Sequence, residues 1–140
     1  MRRGSPLPID IERRLATLGQ ALEAQPAVRF AYLFGGAGHE DVRPLSDVDV
    51  AVYLDETVDP IQARLDLIGV VTKHLGTDEI DLLVLKGAPT ALLGRVLQSR
   101  RVIVDKDPFL RHRFESLEMR KFMDFRIFER RFLDARFARG

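Results

Sequence analysis

The sequence of 140 residues contains no cysteine. Disulfide bonds, cysteine-based zinc sites and cysteine nucleophiles are therefore excluded. It also lacks any apolar stretch close to the roughly 20 residues that a membrane-spanning helix needs. The N-terminal residues are basic but have no apolar core of the kind found in signal peptides. We therefore expect a cytoplasmic protein with no membrane partner.

The chain also lacks a large net charge. Its 22 Lys and Arg residues nearly balance 21 Asp and Glu residues, which leaves a formal net charge of +1. Such a balance does not favour direct binding to nucleic acid. The composition, 46% hydrophobic and 31% charged, is ordinary for a globular chain long enough to form a core. We predict one domain over residues 1–140, with residues 1–8 flexible.

Helical and strand patterns alternate along the chain. Apolar residues at helical spacing begin at Ile11, and this helix should end before Pro26. The alternation indicates an α/β fold, in which helices flank a small mixed sheet. Strands are predicted over 28–34, 48–54 and 80–85, with a short edge strand over 101–104, a short helix after residue 89 and a C-terminal helical segment over 108–140.

A second long helix is predicted after Asp59 and Pro60, which are typical of an N-cap followed by the first helical residue. Gly76 is a suitable end for this helix. Its apolar residues recur at helical spacing. We expect the buried stripe to consist of Ile61, Leu65, Ile68, Val71 and Leu75.

The C-terminal segment holds seven of the nine phenylalanines, with arginines between them. Two interpretations are open: a helix that packs on the sheet, or a surface that docks a partner through aromatic and arginine side chains. Acidic residues in the same segment dilute its positive charge, which argues against RNA binding. The approximate helical face consists of Phe114, Leu117, Phe125, Phe128 and Phe132.

Three acidic residues stand in or beside predicted apolar strands. Because side chains alternate along a strand, Asp47 and Asp49 share one face and lie about 6.6 Å apart along it. Asp81 lies within the apolar run 80–85, where an unpaired buried charge would be costly. Hard cations such as Mg²⁺ prefer carboxylate oxygens. The pattern therefore predicts one shared metal site.

The spacing of these residues resembles a known signature. Gly35 and Gly36, ten further residues, and then Asp47 and Asp49 are similar to the Gly-Ser-x10-Asp-x-Asp motif of polymerase-beta-like nucleotidyltransferases. Asp81 falls where that family places its third carboxylate. The short chain looks most like the minimal (MNT) branch, which includes the MntA-like antitoxins of HEPN/MNT toxin–antitoxin pairs. The fold expected from the resemblance is the polymerase-beta-like nucleotidyltransferase fold.

The resemblance implies roles for individual residues. Asp47, Asp49 and Asp81 would be the catalytic and metal-binding carboxylates, holding two Mg²⁺ ions with Mn²⁺ as an alternative. The turn at Gly35 and Gly36 would hold the phosphates of ATP. The remaining nucleotide-binding candidates are Arg43, to neutralise phosphate, and Ser46, to hydrogen-bond beside the metals.

The implied activity is transfer of AMP from ATP to a hydroxyl group of a HEPN ribonuclease toxin, with a tyrosine as the expected acceptor. One alternative is AMP transfer to a small molecule such as an aminoglycoside. The other is an antitoxin that acts by binding alone, because Gly36 stands where the family has a serine whose hydroxyl would contact phosphate. If the protein is an enzyme, backbone N–H groups of the glycine turn would have to bind phosphate in place of that hydroxyl.

Overall fold

The computed structural model describes residues 9–35 and 48–138, so the expectation that residues 1–8 are flexible lies outside it. Four helices and four strands are present in these two ranges, and they confirm the predicted order of elements. They are α1 (Ile11–Glu23), β1 (Val28–Phe34), β2 (Val48–Leu54), α2 (Pro60–Leu75), β3 (Ile80–Val84), α3 (Thr90–Ser99), β4 (Arg101–Asp105) and α4 (Pro108–Ala138).

The four strands form one mixed sheet in the order β3–β2–β1–β4. Strand β1 is antiparallel to both β2 and β4, whereas β2 and β3 are parallel. The predicted small mixed sheet is confirmed, and β4 is an edge strand as expected. The other edge is β3, which carries Asp81.

Helices α1 and α2 cover one face of the sheet. Alternation along β2 directs Val48, Val50, Val52 and Leu54 into the core beneath these helices, as the sequence predicts. The N-cap of α2 is also confirmed, because a carboxylate oxygen of Asp59 accepts a hydrogen bond from the Ile61 N–H at 3.2 Å.

The predicted buried stripe of α2 is wrong in its first two turns. Ile61 is 74% exposed and Leu65 is 57% exposed. A hydrogen bond from Arg64 Nε to the Leu82 carbonyl, 3.0 Å long, places Arg64 beside β3 and is consistent with a different helix rotation. The helix has apolar residues on more than one face, so spacing alone did not define its rotation. The buried residues are Ala63, Leu67, Val71 and Leu75.

The other face of the sheet is covered by α3 and by the first half of α4. The rings of Phe30 and Tyr53 stack with their centroids 4.7 Å apart. Phe114 of α4 lies 5.7 Å from the Phe30 ring and 5.4 Å from the Tyr53 ring. Aromatic pairs at these distances add stability beyond the burial of their surface. The first half of α4 therefore packs on the sheet, which agrees with the first interpretation of the C-terminal segment.

A buried carboxylate fixes α4 to the rest of the domain. Glu115 accepts hydrogen bonds from Tyr32 Oη at 2.7 Å, from Arg100 Nε at 2.9 Å and from Arg111 Nη1 at 3.1 Å. Arg111 also donates to Asp105 of β4 at 3.0 Å. These bonds join one side chain of α4 to β1, to the residue after α3, and through Arg111 to β4.

Burial and charge act in opposite directions at Glu115. Burial raises the pKa of the Glu115 carboxyl, but the hydrogen bonds from Tyr32, Arg111 and Arg100 and the charge of Arg100 outweigh burial, so its pKa lies below the usual value of 4.5. Burial, together with the hydrogen bond to Glu115 and its negative charge, raises the pKa of Tyr32. The tyrosine therefore remains a neutral hydrogen-bond donor to an ionised carboxylate at neutral pH.

Helices α3 and α4 approach closely at Gly94. A Cβ atom at position 94 would overlap the ring of Phe122, which is itself only 7% exposed. Phe122 is the last buried side chain of α4 within the described residues. Every side chain of α4 from residue 123 to residue 136 is exposed, and we call this segment the exposed half of α4.

Gly94→Ala should lower the free energy of unfolding by about 1–3 kcal/mol, the usual cost of overpacking. The added methyl group would force apart α3 and the Phe122 ring. The matched control is Gly69→Ala in α2, where an added Cβ atom would meet nothing within 4 Å. This control should gain stability of up to about 1 kcal/mol from helix propensity. Urea unfolding of both variants tests the packing, and equal stabilities would contradict it.

Candidate active site

Two of the three predicted carboxylates lie side by side on neighbouring strands. In the parallel pairing of β2 and β3, Asp49 is directly opposite Asp81. Neighbouring strands lie about 4.8 Å apart, and residues in register direct their side chains to the same face of the sheet. The two carboxylates can therefore act on one ligand at this edge of the sheet.

The surroundings of Asp81 differ from those predicted. The sequence suggested a buried acid within an apolar run, but Asp81 is exposed because β3 is an edge strand. Asp49 is half-buried, since β2 is an inner strand of the sheet. The argument from a buried, unpaired charge is thus wrong for Asp81. Its position opposite Asp49 supports a site role on geometric grounds instead.

Gly35 lies directly against Asp49. Its backbone is left-handed, with φ of +62°, and it follows Phe34, which pairs with Asp49 across β1 and β2. A Cβ atom at position 35 would lie only 2.5 Å from Asp49 Oδ2. Both the backbone conformation and the close approach therefore require glycine here.

The N–H group of Gly35 has a protein partner. It donates a hydrogen bond to Ser99 Oγ at 3.0 Å, and the Ser99 hydroxyl in turn donates to the Arg95 carbonyl at 3.2 Å. The Gly35 N–H is therefore held by the protein and is not directed at a ligand. Sequence reasoning missed Ser99, because a serine at the end of a short helix carries no distinctive signal.

The remaining predicted site residues, namely Gly36, Arg43, Ser46 and Asp47, lie outside the described residues. Within 9–35 and 48–138 no group of three or more His, Asp or Glu side chains is arranged to hold a metal ion. Asp49 and Asp81 nevertheless form a pair of carboxylates, and oxygen donors of this type suit Mg²⁺ or Mn²⁺. The donors present fit the predicted metal, with Asp47 as the expected third ligand.

Comparison with protein families places this chain close to a known enzyme family. Residues 16–109 match the family described as polymerase beta, nucleotidyltransferase. This range covers more than half of the chain and includes both Asp49 and Asp81. The chain therefore belongs to the polymerase beta nucleotidyltransferase family, and the predicted fold is confirmed.

Solved structures with a similar fold come from toxin–antitoxin complexes. A chain of a mutant MntA-HpeT toxin–antitoxin complex is 25% identical, with 89% of each chain covered and a TM-score of 0.57. A chain of a toxin–antitoxin complex with AMP-PNP is 24% identical, covering 89% of this chain and 90% of the other, with a TM-score of 0.57. Among curated proteins, no sequence matches this chain significantly.

A third similar structure is that of a tri-AMPylated HEPN toxin of Shewanella oneidensis in complex with its MNT antitoxin. The matching chain is 21% identical, with 88% of this chain and 91% of the other covered and a TM-score of 0.55. At this identity the likeness shows the fold.

Across the part of the chain that the structure describes, no helix combines the length and the apolar character needed to cross a membrane.

Proposed function

We propose that this protein transfers AMP from ATP to a hydroxyl group of a HEPN toxin, expected to be a tyrosine hydroxyl, and thereby neutralises the toxin. The observation that carries the proposal is the pairing of Asp49 with Asp81 within a nucleotidyltransferase domain. The likeness to a chain of a toxin–antitoxin complex at 25% identity supports a toxin as the partner. ATP as the donor agrees with the AMP-PNP complex of a similar chain.

The metal site of the proposed enzyme consists of Asp49 and Asp81, with Asp47 as the third carboxylate. Two Mg²⁺ ions, or Mn²⁺, bound there would offset the negative charge of the reacting phosphates. Asp49 lies on an inner strand and beside Gly35, which limits the space available to its carboxylate. Asp81 lies on the exposed edge, where an acceptor hydroxyl can approach it from solvent.

Asp81 is the proposed general base. It takes the proton of the acceptor hydroxyl while the hydroxyl oxygen forms a bond to the α-phosphorus of ATP. The bond between the α-phosphorus and the bridging oxygen breaks in the same displacement, and pyrophosphate leaves with the electron pair. The acceptor gains AMP, and the transferred proton remains on the Asp81 carboxyl until solvent removes it.

Phosphate binding is assigned to the glycine turn and to the segment that follows it. The left-handed backbone at Gly35 turns the chain away from β1 directly beside Asp49. Because the Gly35 N–H donates to Ser99, the proposed phosphate donors are the N–H groups that follow, beginning with Gly36. Arg43 and Ser46 are the proposed side-chain contacts to the nucleotide.

The proposed toxin-docking surface is the exposed half of α4. Large apolar side chains remain uncovered there, for example Phe128 at 69% and Phe132 at 56% exposure. Aromatic side chains interspersed with arginines are typical anchors of protein interfaces.

We also propose that residues 1–140 form a single domain and that the protein acts in the cytoplasm.

The proposal is tested by incubating the purified protein with labelled ATP, Mg²⁺ and a HEPN toxin. Label should appear on the toxin and should be lost when its acceptor tyrosine is replaced by phenylalanine. Asp81→Asn should reduce the transfer rate by about 10²-fold or more, as expected for loss of a general base, while toxin capture in a pull-down is unchanged.

Other outcomes of this experiment identify the alternatives. Label on an added small molecule and none on the toxin would indicate a small-molecule nucleotidyltransferase. A tight complex without label, even for the wild-type chain, would indicate neutralisation by binding alone. Transfer at the wild-type rate by Asp81→Asn would remove this residue from the catalytic set.

A further inference from the structure

We propose that Ser99 is a positioning residue for the nucleotide site, acting through Gly35 on Asp49. The proposal rests on the nucleotidyltransferase activity described above. Ser99 is the last residue of α3 and touches neither the proposed metal site nor the proposed general base directly. Its effect depends on the hydrogen bond that it accepts from the Gly35 N–H at 3.0 Å.

The hydroxyl of Ser99 replaces a strand carbonyl. In the antiparallel pairing of β1 and β4, Tyr32 lies opposite Val102 and Leu33 lies opposite Arg101. The pairing ends there, but continuing its register by two residues would bring Gly35 opposite Ser99, in agreement with the hydrogen bond between them. Strand β4 has not yet begun at this point, because Ser99 still belongs to α3. The serine side chain therefore satisfies the N–H group of Gly35 beyond the end of the backbone ladder.

The direction of this hydroxyl is fixed. Ser99 has one hydroxyl hydrogen, which it donates to the Arg95 carbonyl at 3.2 Å. An oxygen that donates in this way presents its lone pairs to the Gly35 N–H. The adjacent Arg100 is bonded to the Leu97 carbonyl at 2.6 Å and to Glu115 of α4 at 2.9 Å. The end of α3 is thus held by the bonds of Ser99 and of the residue that follows it.

The position of Gly35 affects two parts of the site together. Its Cα is so close to Asp49 that an added Cβ atom would lie 2.5 Å from Oδ2, so any shift of Gly35 alters the space available to this carboxylate. Its left-handed backbone also sets the direction in which the chain leaves β1. Loss of the Ser99 bond should therefore weaken nucleotide binding without removing a ligand or a base.

The variants for the test are Ser99→Ala, Ser99→Thr and Thr17→Ala. Ser99→Thr restores the hydroxyl and should behave like the wild type. Thr17→Ala is the matched control, because Thr17 Oγ1 also bonds a carbonyl and a second partner, Arg14 at 3.3 Å and His74 at 2.8 Å, but between α1 and α2. It should leave the nucleotide site unchanged.

Two measurements separate positioning from general stability. Amide hydrogen exchange at Gly35, followed by NMR without nucleotide, should accelerate only in Ser99→Ala. The dissociation constant and KM for ATP should rise roughly threefold to tenfold in Ser99→Ala, the range expected for one hydrogen bond, with a smaller change in kcat. Ser99→Thr and Thr17→Ala should match the wild type in both measurements.

Unchanged exchange at Gly35 and unchanged ATP affinity in Ser99→Ala would overturn the inference. So would Ser99→Thr behaving like Ser99→Ala, because the effect would then not come from the hydroxyl. Failure of the wild-type chain to bind ATP or transfer AMP would contradict the proposed function instead. The exchange experiment would still decide whether Ser99 holds Gly35.

Discussion

Asp49→Asn should reduce AMP transfer by at least about 10³-fold, which corresponds to a loss of several kcal/mol of transition-state stabilisation. The amide keeps the size of the side chain, and its oxygen can still lie beside Gly35. It removes the negative charge of the half-buried carboxylate that pairs with Asp81. A filter assay with labelled ATP and the toxin, extended to long incubation times, measures a decrease of this size.

The control for this experiment is Asp66→Asn, which changes an exposed carboxylate on α2 outside the predicted site. It should transfer AMP at the wild-type rate. Thermal unfolding without ligand should be similar for both variants and the wild type. Mg²⁺ and ATP should raise the melting temperature of Asp66→Asn but not that of Asp49→Asn, since only a bound ligand stabilises the native state. Wild-type transfer by Asp49→Asn would disprove the assignment of the site.

Glu115→Ala should lower the free energy of unfolding by about 3–5 kcal/mol, the usual cost of breaking a buried ion pair by removing one partner. The Glu115 side chain is only 11% exposed, and its loss leaves Tyr32, Arg100 and Arg111 without their shared acceptor. The first half of α4 should then separate more easily from the sheet. Urea unfolding monitored by circular dichroism gives the free energy directly.

The pH dependence of the same variant provides an independent check. Since the folded protein lowers the pKa of Glu115, this group contributes its full stability above its usual value of 4.5. That contribution decreases as the pH falls below 4.5 towards the folded pKa. The stability difference between wild type and Glu115→Ala should therefore be larger at pH 7 than at pH 3. A difference that does not change with pH would show that the carboxylate charge has little part in holding α4.

Glu115→Gln separates charge from hydrogen bonding. The amide oxygen can still accept from Tyr32, so this variant should lie between the wild type and Glu115→Ala in stability. It should also lack the decrease in stability at low pH that Glu115 contributes, since glutamine does not ionise. Because Arg100 follows Ser99 directly, both variants also show whether loosening the end of α3 changes ATP affinity.

The positions of the strands along the chain followed from local patterns. Apolar alternation between residues 48 and 54 correctly identified both the strand and its core face. Alternation with a period of two residues indicates a strand and not a helix. The spacing of Gly35, Asp49 and Asp81 also indicated a shared site. The structure places Asp49 beside both of the others.

Features that depend on packing between distant segments were not predictable. In α2 the helical spacing of Ile61 and Leu65 suggested the buried face, but tertiary contacts bury Ala63 and Leu67 instead. Exposure of Asp81 follows from the strand order, which the sequence does not contain in a local form. Sequence patterns give the periodicity of an element more reliably than its orientation.

Polar contacts over long separations in the sequence were missed for the same reason. Glu115 and Tyr32 are far apart in the sequence, and a glutamate on a helix usually faces solvent. Phe122 is the only phenylalanine buried in α4 among the described residues, although several others fit a helical face equally well. Only the approach of α3 at Gly94 distinguishes it.

The exposed half of α4 has a consequence for the lifetime of the free protein. A helical segment of this length has little stability of its own when no tertiary contact supports it. It also contains Arg126, Arg130, Arg131 and Arg136, so a trypsin-like protease would meet cleavage sites in the part of the chain that opens most easily. A partner seated on these turns would shield them. Survival of the chain under proteolysis would then report whether it is bound, and the unbound excess would be removed first.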